Sequence, residues 1–168
     1  LASPSLYLAS TAAKIVDVPS IQEGRTCIGV LTKGFVPSDN GPRLVLETLE
    51  EALPECYRHY LVYISGPSHA EEVAMGKLTG LIAASENPKN SIKVRELLRV
   101  PGLFCYSSFD VIGVQICSAA KNVVAVVYGA LDAVAEHSKI FGDNTESLLL
   151  AAGLNEIQTL GMAMGATH

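Results

Sequence analysis

A chain of 168 residues, 49% apolar and 17% charged, has room for one domain or parts of two and can bury a core, which excludes a disordered chain. Its net charge of −5 and pI of ≈ 5.3 exclude the concentrated basic face of an extended nucleic-acid surface. A small phosphorylated ligand stays possible, because one or two placed lysines suffice.

In chain order, a helical pattern over 5–16 precedes the short apolar run "TCIGVLTKG" (26–34), which reads as a buried strand ending in Lys33 and a glycine. A helix over 43–53 leads to "YLVYISGP" (60–67), a strand stopped by Gly-Pro. A helix over 68–75, a strand "TGLIAAS" (79–85), a helix over 88–99 and a strand "GLFCYSS" (102–108) follow. Short apolar strands alternating with helices predict an α/β sheet, and the short connections leave room for antiparallel pairs. From Asp110 onward no strand signal remains. Helices are expected over 110–135 and 145–164, the latter with Leu148, Leu149, Leu150, Leu154, Ile157 and Leu160 as its apolar positions. The fold class is therefore α/β followed by all-α, divided into 1–109 and 110–168.

Cys27, Cys56, Cys105 and Cys117 show no CxxC spacing, and with His59, His69, His137 and His168 they form no zinc pattern. Scattered single cysteines are expected to be reduced and mostly buried, in the cytoplasm. No basic segment precedes an apolar run, so no signal peptide is expected. The run 111–135 has the apolar length of a membrane span, but Gln115, Lys121, Asn122 and Asp132 speak against one. The start at Leu1 and the stop after "GMAMGATH" lead us to expect a piece of a longer protein.

Three stretches carry candidate chemistry. In "VIGVQICSAAKNVVAVVYGALDAVA", Lys121 shares helical neighbours Val114, Cys117, Ser118, Val124, Ala125 and Tyr128, beside a thin polar stripe of Gln115, Ser118 and Asn122. Burial there would disfavour the charged amine and bring its pKa toward neutrality, where it can exchange a proton. The plainer reading is a lysine snorkelling to the surface along its stem, or one paired with Asp132 or another acid. In "SGPSHAEEVA" (65–74), Ser68 and Glu71 fit a capping box, while a helix start just past a strand end also suits an anion. Adjacent Ser68 and His69 do not suggest a hydrolase dyad, because neighbouring side chains on a helix diverge. In "LTKGF" (31–35), Lys33 is placed to meet a phosphate or carboxylate, or is simply an exposed strand-end lysine.

Taken in order and spacing, "LTKGF", "SGPSHAEEVA", "DVIGVQICSAAKNVVAV" and "FGDNTESLLLAAGLNEI" resemble the NAD(P)-dependent glycerol-3-phosphate dehydrogenases. The resemblance implies the C-terminal part of a Rossmann-like dinucleotide-binding domain followed by the start of a helical substrate domain. It implies NAD or NADP as cofactor, and interconversion of dihydroxyacetone phosphate and sn-glycerol 3-phosphate, which feeds glycerophospholipid synthesis. By it, Lys121 is the catalytic lysine and Asn122 helps orient the substrate. Lys33 meets both cofactor and substrate, Gly66 and Ser68 meet the substrate, and Ala70 meets the cofactor. A homodimer through the helical part is the expected assembly, with no nucleic acid and no transmembrane segment.

The chain departs from the family pattern in places. It contains no G-x-G-x-x-G turn, and the family's later aspartate and Arg-Asn pair would lie past His168, so the piece alone is expected to be inactive. Pro4-Ser5 resembles the end of a family strand. Ala133, Glu146 and Ala152 stand where glycine, lysine and arginine are usual, and Gln115 replaces a common glutamate. Two other readings are kept. One is a relative of the β-hydroxyacid or 6-phosphogluconate dehydrogenases, disfavoured because their lysine and asparagine lie four apart, whereas Lys121 and Asn122 are adjacent. The other is a non-catalytic helical assembly module.

Overall fold

The structure is a computed structural model, and it describes residues 1–167; His168, counted above among the scattered histidines, lies outside the described residues. Four strands form one sheet in sequence order: β1 (Ile28–Val30), β2 (Leu61–Ser65), β3 (Thr79–Ala84) and β4 (Leu103–Ser108). Each falls inside an expected apolar run. The helices are α1 (Leu8–Ala13), entered by a 3-10 turn at Ser5–Tyr7, α2 (Pro19–Gln22), α3 (Val45–Ala52), α4 (Ala70–Ala74) and α5 (Pro88–Leu97). Then come α6 (Val111–Ala135) and α7 (Asp143–Ala163). Helix α2 is absent from the sequence reading because four residues are too few to show a period.

Leu61 and Tyr63 face one side of the sheet and Val62 and Ile64 the other, and all four are buried, as the alternation of a central strand requires. The first side carries the larger core, with Leu8, Val45, Leu49 and Tyr57 and, from α6, Val111 and Val114. The second packs on Leu81, Ala83 and Val94. Along the outer side of β1, the Leu1 amine donates to the Gly29 carbonyl at 2.6 Å and Leu31 N–H donates to the Leu1 carbonyl at 2.7 Å, which is the bonding of a parallel neighbour.

Strand direction decides where α6 begins. β1 and β2 are parallel, β2 and β3 antiparallel, and β3 and β4 parallel. Val30 lies opposite Tyr63, Tyr63 opposite Ala84, and Ala84 opposite Ser108. The chain leaving β4 therefore travels away from the edge at which β1 and β2 end. Helix α6 starts beyond the far edge and runs back across β2. Its tenth residue after Val111 is Lys121, about 15 Å along the axis at the usual rise. That distance returns the lysine to the edge bearing Lys33 and Gly66.

The start of α6 is fixed by Asp110, whose carboxylate accepts from Gly113 N–H at 2.9 Å and from Thr167 N–H at 3.2 Å. Only its first turns are covered: Gly113, Gln115, Ile116 and Ser118 are buried. Beyond them it lies along α7, and Val123, Val126 and Val134 are exposed. By length and composition alone α6 could cross a membrane, but its first half rests on the sheet.

The cysteines depart from expectation. All four are free, but Cys27 and Cys105 are only half-buried and Cys56 and Cys117 are exposed. Cys56 sits in a one-sided 3-10 turn and Cys117 on the side of α6 turned from the core.

Candidate active site

Beyond the ends of β1 and β2 lies an open cleft of about 510 Å³, lined by Lys33, Pro67, Ser68, His69, Ala70, Glu72 and Lys121. This is the edge at which ligands sit in open α/β sheets. A second cavity of about 410 Å³, mostly apolar, adjoins it at Lys121 and Pro67 and is bounded by Gly66, Ile82, Ser108, Asp110 and Cys117, among others. Lys33, Ser68, Ala70 and Lys121 thus surround one cleft, and Gly66 lies at its junction with the neighbouring cavity.

Each side chain is placed by a local device. Lys33 follows β1 directly, held by the buried Thr32, whose hydroxyl donates to the Ser3 carbonyl at 2.8 Å. Gly66 has φ +150, a conformation that side-chain-bearing residues rarely adopt. A Cβ there would strike the Gly80 carbonyl and lie 2.9 Å from the Leu81 Cα. Only a glycine lets the chain turn off β2 this close to β3, and that turn presents Pro67 and Ser68 to the cleft.

Two expectations about these residues fail. The Ser68–Glu71 capping box does not form: α4 starts at Ala70, its N-cap is His69, and no side chain caps it. Ser68 lies two residues before the helix, too early to reach its free N–H groups. At five residues, α4 also has too little length for a useful dipole, so the helix-start argument for an anion falls away. Because His69 is extended rather than helical, its side chain lines the same cleft as Ser68.

Lys121 is exposed rather than buried. The sheet covers α6 only as far as Ser118, so the apolar stripe flanking the lysine faces α7 and open solvent. The burial expected of this amine is therefore not there, and its side chain reaches the surface as the plainer reading has it. The anticipated partner is not there either: among the described residues neither Lys33 nor Lys121 forms an ion pair. The acid in the cleft, Glu72, is engaged by Lys77 at 3.0 Å. Two unpaired ammonium groups around one concavity make a positive patch on an acidic chain, suited to a small anion.

Two members of the polar stripe beside Lys121, Gln115 and Ser118, are buried against the sheet part. Gln115 is buried, and its amide oxygen accepts from Leu46 N–H at 2.9 Å while its amide nitrogen donates to the Val111 carbonyl at 3.2 Å. It satisfies a free N–H in the first turn of α3 and ties the helical part to the sheet. Ser118, also buried, faces Tyr63, whose phenol is pushed up by burial, with the Ser118 hydroxyl opposing that shift. Among the described residues, no three His, Cys, Asp or Glu side chains gather as a metal would need.

A sheet flanked by helices, with a lysine-lined cleft beyond the ends of β1 and β2 and a long helix of a second, all-helical part along its side, is the arrangement of the Rossmann-type two-part proteins. The chain belongs to the NAD-dependent glycerol-3-phosphate dehydrogenase family: the family's N-terminal model matches residues 1–91 and its C-terminal model residues 110–168. It is 61% identical over 174 aligned positions to the glycerol-3-phosphate dehydrogenase [NAD(P)+] of Treponema denticola, covering 100% of this chain and 49% of that protein. It is 58% identical over 177 positions to that of Treponema pallidum, covering 100% of this chain and 50% of that protein. The chain thus spans about half the length of these curated relatives. The crystal structure of glycerol-3-phosphate dehydrogenase from Coxiella burnetii superposes with a TM-score of 0.78 at 27% identity, over 99% of this chain and 47% of that one. The enzyme of Saccharomyces cerevisiae, at 23% identity and a TM-score of 0.77 over 95% of this chain and 44% of that one, shares the fold.

Proposed function

We propose that this chain supplies the lysine-bearing core of an enzyme that interconverts dihydroxyacetone phosphate and sn-glycerol 3-phosphate with NAD(H) or NADP(H). The observation that carries the proposal is the pair of unpaired lysines, Lys33 and Lys121, lining one cleft beyond the ends of parallel β1 and β2. The names of the relatives support it.

The nicotinamide cofactor, when bound, supplies the hydride that reduces the carbonyl carbon. Lys33 and Ala70 fit its reactive end, because the segments that follow the adjacent strands β1 and β2 bring both to the cleft and Ala70 adds little bulk there. A glycine-rich turn for the pyrophosphate is not among these residues. Lys33 and Ser68 hold the phosphorylated substrate, with Gly66 shaping the turn beneath it. The Lys121 ammonium gives its proton to the carbonyl oxygen as the carbon is reduced; in reverse, the neutral amine takes the hydroxyl proton. Being exposed, Lys121 exchanges protons with bulk water between turnovers. Asn122, next on the helix, helps orient the substrate. The enzyme works in the cytoplasm, supplying the glycerol phosphate of phospholipids.

The test is turnover of dihydroxyacetone phosphate with NADH and with NADPH, using the chain joined to the flanking sequence its relatives carry. Lys121→Ala is expected to lower kcat by about 100-fold or more, in the range typical of a lost general acid. Near-normal kcat in that variant would overturn the assignment.

The exposed Val126 (73%) and Leu148 (70%) favour a second reading for the helical part, as a surface that pairs with another copy. Sizing chromatography decides it: a single monomer peak at micromolar concentration would exclude it.

A further inference from the structure

A groove of about 440 Å³ leads away from Lys121 between α6 and α7, lined by Val124, Tyr128, Leu150 and Leu154 among others. Two contacts fix the helices to each other along it. At Gly153 an added Cβ would lie 2.8 and 2.9 Å from the two γ-carbons of Val124, so the helices meet there at a spacing that only glycine permits. Val124 is β-branched and cannot turn aside cheaply on a helix. Further along, the Tyr128 hydroxyl donates to the Glu146 carboxylate at 2.7 Å. Lys121, Val124 and Tyr128 lie at i, i+3 and i+7, on one stripe of α6. The stripe that carries the lysine is therefore pinned one turn away by packing and two turns away by a hydrogen bond. Neither pin touches the cleft between Lys33 and Ser68.

We propose that α7 positions Lys121: the Val124–Gly153 contact and the Tyr128–Glu146 hydrogen bond set the rotation and depth of α6 from which the amine reaches the substrate oxygen. The sheet cannot do this alone, since its cover on α6 ends at Ser118. The close contact at Gly153 sets how near the two helices come. A hydrogen bond to a carboxylate is directional and fixes how they are rotated. The inference rests on the reading of Lys121 as the proton donor, and the controls below separate the two.

The experiment uses the full-length protein, assayed well below the melting temperature of each variant. Tyr128→Phe keeps the ring and removes only the hydroxyl. We expect kcat to fall about tenfold, as misplacement of a reacting group by a fraction of an ångström does, with the KM for dihydroxyacetone phosphate unchanged within about twofold. Glu146→Ala should match it, and Glu146→Gln, which keeps an acceptor oxygen, should recover most of the loss. Gly153→Ala should also lower kcat, and adding Val124→Ala to it should restore the rate by returning the space. If Tyr128→Phe and Gly153→Ala change only the melting temperature, or raise KM as much as they lower kcat, α7 is a scaffold and the proposal fails. Lys121→Ala is measured beside them. If it abolishes turnover while the α7 variants do not slow it, only the positioning role is lost; if it has no effect, the proton-donor reading falls and this one with it.

Discussion

The buried amide oxygen of Gln115 on α6 accepts the backbone N–H of Leu46 at the start of α3, 2.9 Å away and 69 residues earlier in the chain. This bond joins the helical part to the sheet part. It uses a neutral side chain, so it needs no charge in the core.

Replacing Gln115 with Leu removes the acceptor but keeps an apolar residue of similar size, leaving the Leu46 N–H without a partner. We expect a loss of about 1–3 kcal/mol, the usual penalty for an unpaired buried donor. Gln115→Glu keeps an acceptor oxygen but buries a charge, and should lose stability as pH rises through the carboxyl range. Denaturant titration of the full-length protein at pH 5 and pH 8 reads both effects, and equal stability of Gln115→Leu and the parent would refute the first.

Gly66→Ala forces a Cβ against the Gly80 carbonyl at a backbone angle that alanine resists. A cost of about 1–3 kcal/mol is expected. Relieving the clash moves the turn that carries Ser68, so the KM for the phosphorylated substrate should rise together with the loss of stability. A change in stability with an unaltered KM would separate the turn from the binding of substrate.

Cys117 is exposed yet its thiol is pushed up, first by partial burial against the cavity wall and then by the Asp110 carboxylate. Its thiolate fraction at pH 7 is therefore smaller than that of a free cysteine, and alkylation by iodoacetamide should be slower. Asp110→Asn removes the charge but keeps a good N-cap residue, and it should move the alkylation–pH curve of Cys117 to lower pH. Peptide mapping by mass spectrometry isolates this thiol from the other three; an unmoved curve would assign the whole effect to burial.

The positions of the strands and longer helices are legible in the sequence, because apolar runs bounded by Gly-Pro or charged turns leave few alternatives. Strand direction is not. Nothing in "TGLIAAS" states that it returns antiparallel to β2, and the direction follows from pairing between distant segments. Lys33, Ser68 and Lys121 can be nominated from strand ends and helical spacing, and Ala70 from the family resemblance; the structure gathers the four around one cleft. The environment of Lys121 is misread for a physical reason: periodicity gives the face of a helix but not how much of its length a neighbour covers. The Ser68 cap is misread because the cap position falls one residue later, on His69. The Tyr128–Glu146 bond leaves no local signal, since its partners are on different helices.

Because β4 leaves the sheet at the far side, the lysine is delivered by a helix acting as a ruler, and ten residues of α-helix are its graduations. Inserting a single alanine between Asp110 and Lys121 would advance the amine by only about 1.5 Å but swing it through about 100°, onto another side of the rod. Restoring its heading would take three or four inserted residues, and by then it would overshoot by a full turn. A protein built this way tolerates little change in the length of that segment, whatever the side chains along it.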